Sequence, residues 1–329
     1  MMSGEAPRPK GPDDKKPILI GFIVLLGLLL GALADRVLGS AQDRQAEVVS
    51  PLRESPTSPT AIPIAPAGLQ DAIEQLARRE TGRNGVLVRS VEDDWSAGFR
   101  GATTFPQGSL RRIWLGAALL DAVDRGELSL DQRVPLLAAK HRGEQPRQQV
   151  GELLRRALAD DDRQAQDHIL DGLNGPQGMA RWLEEKELEE VVFGPAYRDL
   201  AKSREHNGKE GSRVLADGAT PDGMAFGIAQ LYAGKLLSRG STQHLLGYFP
   251  VAQVLLNEAA AGWEVQTMSG EVRGAVGQVV AASGVALVRS RTGRHFTITV
   301  FADGPSDATG RRDRLLANAF VEVQRAEGR

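Results

Sequence analysis

Cysteine is absent from the 329 residues. That excludes disulfides, thiolate metal sites and cysteine nucleophiles, and it is compatible with a reducing or an oxidising compartment. Histidine is almost as scarce: His141, His168, His206, His244 and His295 are scattered without metal-ligand spacing, and each reads as an ordinary surface or core residue. Aromatic side chains make up 5% of the chain, and Trp95, Trp114, Trp182 and Trp263 stand singly, as core or boundary residues do. No charge of one sign dominates. A net charge of −2, a pI near 6.3 and arginines interleaved with Asp and Glu give no long-range attraction for a phosphate backbone, so nucleic acid is not an expected partner. The acidic run Asp160-Asp161-Asp162 is read as a solvated turn, because three consecutive side chains do not converge on a cation. Neither a metal nor any other cofactor is expected.

What the chain does have is material for a core, with 41% hydrophobic and 25% charged residues, enough for one large or two small globular units. Its strongest local signal is an uninterrupted apolar run from Pro17 to Ala34. The run approaches the roughly 20 residues that cross a bilayer as a helix. Arg8, Lys10, Lys15 and Lys16 precede it and favour a cytoplasmic N-terminus. Residues 1–16 are thus expected to be a cytoplasmic tail and 17–34 a transmembrane signal-anchor, with the remainder outside the cytoplasmic membrane of a bacterium. The competing reading is a cleaved signal peptide and a secreted product, since Ala32-Leu33-Ala34 has the small-x-small pattern of a cleavage site; Asp13 and Asp14 in the tail and the length of the run favour the anchor. Residues 35–68 turn polar and then Pro-rich, with Pro51, Pro56, Pro59, Pro63 and Pro66, and are expected to form a stiff spacer.

Periodicity organises the rest, residues 69–329. Helical spacing over 69–77 is followed by candidate strands at 85–90 and around 95–99, then by a mostly helical stretch from Ser109 to about Tyr248. Strands return after Trp263, and the segments 284–290 and 295–301 flank Arg291-Thr292-Gly293-Arg294, a hairpin signal. An amphipathic helix over 312–326 closes the pattern. The expected fold class is α/β, of the α+β kind: an antiparallel sheet of about five strands flanked by helices, with an inserted all-helical domain. On this reading 69–108 and 256–329 build the sheet domain and 109–255 the insertion.

Several motifs fall in this frame. Thr104-Phe105-Pro106-Gln107-Gly108-Ser109-Leu110-Arg111-Arg112 opens one helix, and Gly126-Glu127-Leu128-Ser129-Leu130-Asp131 follows it. Asn174-Gly175-Pro176, Phe193-Gly194-Pro195, Thr220-Pro221-Asp222-Gly223-Met224-Ala225 and Gly262-Trp263 come later in the chain. In this order they resemble the class A β-lactamase-like serine hydrolases, whose active-site helix has a Phe-Pro-x-x-Ser-x-x-Lys start and a Gly-x-Leu-x-Leu-Asp end. The resemblance spans roughly residues 69 to 327. It implies that Ser109 holds the nucleophile position, and that the Lys accepting its proton is replaced by Arg112. A guanidinium with a pKa above about 12 is no base near neutral pH. In the register of the resemblance, Asp161-Asp162-Arg163 stand in place of Ser-Asp-Asn, and Met268-Ser269-Gly270 in place of the Lys-Thr-Gly that holds a substrate carboxylate. Tyr197 falls at the Ω-loop carboxylate that activates water, with Asp199 nearby as the fallback.

Each residue also has a plainer reading. Ser109 is an ordinary helix N-cap, Arg112 pairs with Asp161 or Asp162 on a helix face, and Ser269 is a strand-edge hydroxyl. The leading functional expectation is a noncatalytic, membrane-tethered member of the serine hydrolase fold that binds a cell-envelope ligand or protein. The alternative is a divergent active hydrolase of the β-lactamase or peptidase type working through Ser109; a structural module at the envelope is a third.

Overall fold

The computed structural model describes residues 64–136, 146–199, 217–252, 261–274, 276–304 and 306–328. The apolar run 17–34 and nearly all of the Pro-rich spacer lie outside the described residues. Among those described, no helix is long and apolar enough to cross a membrane.

In chain order the first elements are α1 (Leu69–Arg79), β1 (Arg83–Ser90), β2 (Ser96–Phe99), β3 (Phe105–Pro106), a 3-10 turn (Gly108–Arg111) and α2 (Arg112–Asp124). The helical middle contributes β4 (Arg133–Pro135), β5 (Arg147–Gln149), α3 (Val150–Ala159), α4 (Arg163–Gly172), α5 (Gly175–Glu185) and β6 (Val191–Val192). After β7 (Gly218–Ala219) come α6 (Pro221–Tyr232), α7 (Arg239–Leu246), β8 (Glu264–Arg273), β9 (Val279–Arg289), β10 (His295–Asp303) and α8 (Ala308–Glu327). Five strands form one antiparallel sheet in the order β2-β1-β10-β9-β8, as expected for the fold class.

Side chains alternate across a strand, and here both faces are covered, which is why β9 and β10 are apolar almost throughout. Phe296, Ile298 and Val300 of β10, with Ala286 and Val288 of β9, join the cluster that buries Ile73 of α1 and Leu315 and Phe320 of α8. The intervening Phe301, Val285 and Leu287 join the other cluster, with Trp114 of α2 and Ile228 of α6. Thr297 and Thr299 face that side too and donate to the Ala225 and Pro221 carbonyls, at 3.3 and 2.9 Å, so neither buried hydroxyl lacks a partner. Fully burying one such Val, Leu, Ile or Phe side chain contributes roughly 1.5–3 kcal/mol.

The β2 edge is closed by one side chain. Gln70 of α1 donates Nε2 to the Gly98 carbonyl and accepts from the Gly98 N–H, both at 2.9 Å, as a neighbouring strand would. An open edge invites pairing with another chain, and the carboxamide occupies it.

Two sequence expectations need correction. The stretch after Ser109 is not helical alone: β7 and β6 join β3, which precedes Ser109, in a small sheet and β4 pairs with β5, bridges of two or three residues that are too short to leave a period. In addition, Ser109 does not open a helix. It lies inside the 3-10 turn, α2 begins at Arg112, and neither start carries a side-chain cap.

Candidate active site

The approach of β8 to the 3-10 turn sets the geometry around Ser109. Gly108 adopts φ +55°, the left-handed region, and a Cβ there would stand 2.8 Å from the carbonyl carbon and oxygen of Glu271. Across from it, a Cβ on Gly270 would stand 2.5 Å from the Leu110 amide nitrogen and 3.0 Å from that of Ser109. Two glycines thus let strand backbone lie directly on turn backbone. Ser109 is 2% exposed, and its Oγ accepts the Glu271 N–H at 3.4 Å. Instead of capping a helix, the hydroxyl fastens the turn to the sheet. Acyl transfer needs an electrophile about 3–3.5 Å from such a hydroxyl, with amide donors aimed at the developing oxyanion. Here the Glu271 N–H is an amide donor beside the hydroxyl oxygen, at 3.4 Å.

Arg112 is held on three sides. Its Nη1 lies 2.8 Å from Asp161 Oδ1 and 3.4 Å from the Ser109 carbonyl, and its Nη2 donates to the Ser269 carbonyl at 3.0 Å. Asp161 is therefore the carboxylate that takes this pairing. Asp162 does something else: it caps α4 through the Gln164 and Ala165 amides, at 2.9 and 3.2 Å, and receives Arg156 Nε at 2.8 Å. Arg163, the first residue of α4, places its guanidinium 5.1 Å from the Tyr197 ring centroid. The three residues that the resemblance sets against Ser-Asp-Asn diverge into an ion pair, a helix cap and a cation–π contact, and none of them carries a hydroxyl.

Tyr197 is packed between Arg163 and Arg111, its OH 3.4 Å from the Gly108 carbonyl. Burial pushes its phenol above the ordinary value, so it stays protonated at neutral pH and draws no proton from water. Asp199 is half exposed, with Oδ2 3.9 Å from Arg198 Nε. Met268 is buried in the core cluster, Ser269 is exposed, and Gly270 serves the close approach; this strand segment brings no cation to the cleft.

Sequence reasoning missed Arg111, Asp217 and Asp167. Arg111, 1% exposed, donates to the Pro195 and Gly194 carbonyls at 3.0 and 3.3 Å and lies 3.3 Å from Asp217 Oδ2. Asp217 Oδ1 accepts from the Gly194 N–H and Gln107 Nε2, both at 3.2 Å. Asp167 accepts the Tyr197 and Arg198 amides at 2.6 and 3.0 Å. Together they fasten residues 193–198 to the 3-10 turn and α4. Their only sequence signal is a charge in the 3-10 turn, before β7 and within α4, which does not name a partner.

His168, beside Asp167, has both ring nitrogens buried without a hydrogen-bond partner. Burial lowers its pKa, opposed by Asp171, so the folded state holds a neutral imidazole. Its contribution to stability is complete above the unfolded value of about 6.5 and declines as the pH falls below it. Between pH 7.5 and 5.5, the urea midpoint of the wild type is expected to fall further than that of His168→Met. Parallel pH profiles would contradict this assignment.

The five-stranded sheet, the flanking helices and a serine leading into α2 define a β-lactamase-like serine hydrolase fold. A family model described as the β-lactamase enzyme family matches residues 68–321, and the chain belongs to that family. Among solved structures, a β-lactamase from Chitinophaga pinensis is 20% identical, with a TM-score of 0.66 over 79% of this chain and 99% of that one. An ancestral class A β-lactamase is 24% identical, with a TM-score of 0.62 over 78% and 99%. A third, from Xanthomonas campestris, is 21% identical, with a TM-score of 0.63 over 78% and 97%. These likenesses concern the fold. No curated protein sequence matches the chain.

Proposed function

We propose that this chain is a noncatalytic member of the β-lactamase-like serine hydrolases. It is tethered to the cytoplasmic membrane of a bacterium by residues 17–34 and held outside by the Pro-rich spacer 35–68, and its domain over 69–329 binds a cell-envelope ligand or protein. The observation that carries the noncatalytic part is Arg112, where the resemblance calls for Lys: its guanidinium is held by Asp161 and the Ser269 carbonyl and offers no lone pair to accept the Ser109 proton. Among the described residues no side chain hydrogen-bonds Ser109 Oγ, so no other base stands in for the missing amine. The apolar run and its preceding basic residues support the tether.

The test is covalent. The purified full chain, kept in mild detergent, is incubated with a reporter β-lactam and its intact mass is measured. No mass increase is expected. A stable acyl adduct that disappears in Ser109→Ala would overturn the proposal in favour of a divergent hydrolase.

A further inference from the structure

A cavity of 340 Å³ lies beside Ser109 without including it. Its lining includes Arg112, Leu158, Tyr248, Thr267, Met268 and Ser269. Arg112, Leu158 and Met268 are buried and Ser269 is exposed, so the space reaches from the core to the surface. The volume is in the range of small-molecule sites, about 300–1,000 Å³.

Charge, hydrogen bonding and walls together define what fits. The cationic lining residue is Arg112, and Asp161 at 2.8 Å already neutralises it. A carboxylate or phosphate entering here would lose water without meeting an unpaired cation. The edge of β8 supplies the polar contacts. Thr267 N–H donates to the Pro250 carbonyl and the Ser269 carbonyl accepts from Arg112, so the backbone groups of both residues point away from β9. The other two groups on that edge, Thr267 C=O and Ser269 N–H, have no partner among the described residues. Arg112 Nε–H is also buried and has no partner among the described residues. An acceptor and a donor on alternate residues of a strand edge, both facing outward, match the C=O of one amide and the N–H of the next on either side of an extended residue, as in strand-addition recognition. Leu158 and Met268 offer apolar surface next to them.

We propose that this cavity binds a small uncharged N-acyl amino-acid amide with an apolar side chain. The carbonyl of one of its two amides accepts from Ser269 N–H, an N–H of the other donates to Thr267 C=O, and its apolar group packs on Leu158 and Met268. The inference rests on the reading of this cleft as a binding site without acyl transfer.

The probes are N-acetyl-leucinamide and N-acetyl-leucine, which share a body and differ in charge, titrated against the full chain in detergent by saturation-transfer NMR. Saturable binding of the amide is expected, with the carboxylate about 10-fold weaker. Ser269→Pro removes the edge donor at a position where proline is tolerated and is expected to weaken the amide about 10-fold, the worth of one hydrogen bond. Ala159→Trp, on an exposed residue of the lining, fills the mouth and is expected to abolish binding in a variant whose unfolding midpoint is unchanged. Equal or tighter binding of the carboxylate, or amide binding that survives Ala159→Trp, overturns the inference. Absence of saturable amide binding up to about 20 mM also sinks it. Because the noncatalytic reading fails only on an acyl adduct at Ser109, the two failures are distinguishable.

Discussion

Arg111→Met is expected to destabilise the folded chain by about 3–5 kcal/mol, the cost of breaking a buried ion pair from one side. The Arg111 side chain is 1% exposed and that of Asp217 10%, with Nη1 and Oδ2 3.3 Å apart. The guanidinium also meets two backbone carbonyls and lies 4.7 and 5.1 Å from the Phe193 and Tyr197 ring centroids. Methionine fills much of the volume but leaves a buried carboxylate without its cation. Burial already raises the Asp217 pKa, with Arg111 opposing; removing Arg111 raises it further. A carboxyl whose folded pKa is raised contributes stability that is present below its unfolded value and lost as the pH rises through the folded one. The deficit of the variant is therefore expected to grow from pH 4 to pH 8. Arg111→Met/Asp217→Asn removes the uncompensated charge and keeps an acceptor for the Gly194 and Gln107 donors, so it should recover most of the loss. Urea unfolding across this pH range measures all three proteins. A single variant within about 1 kcal/mol of wild type would show that the pair does not hold this region together.

Gly270→Ala is expected to cost about 1–3 kcal/mol, as overpacking does. The atoms its Cβ would meet at 2.5 and 3.0 Å are backbone nitrogens and the Gln107 carbonyl oxygen, none of which can rotate away. Relief requires β8 to move off the turn, which loosens both the Glu271–Ser109 and the Arg112–Ser269 hydrogen bonds. Gly240→Ala in α7 is the control. Its Cβ would find nothing nearer than Ser238 Oγ at 4.0 Å, and it is expected to be neutral or to gain up to about 1 kcal/mol of helix propensity. Matching urea midpoints for Gly270→Ala and wild type would mean that the strand and the turn are not in rigid contact.

Much of the fold was legible because it is periodic. The α1 spacing, the β9–β10 hairpin around Gly293 and the terminal helix all emerge from apolar repeats, and their observed ends differ from the expected ones by a few residues: β9 starts at Val279 and α8 at Ala308. Local rules reached less far at the site. They raised Asp161 and Asp162 as partners for Arg112, but the choice between them came from backbone conformation. Asp161 sits at φ +51°, whereas Asp162 is extended and caps α4, leaving only Asp161 to reach Arg112. Ser109 was read as an N-cap because its local sequence allows one; a strand amide 162 residues further along took the hydroxyl instead.

By itself the sequence determined the absence of thiol chemistry, the order of the motifs and an arginine three residues after Ser109, since these are properties of residue type and position. Closure of the space around that serine was decided only in three dimensions. It depends on β8 lying in one register against the 3-10 turn, with Gly108 and Gly270 on opposite sides of the contact, and close approach between distant backbone segments is set by how the sheet and helices pack, not by the residues of either segment alone.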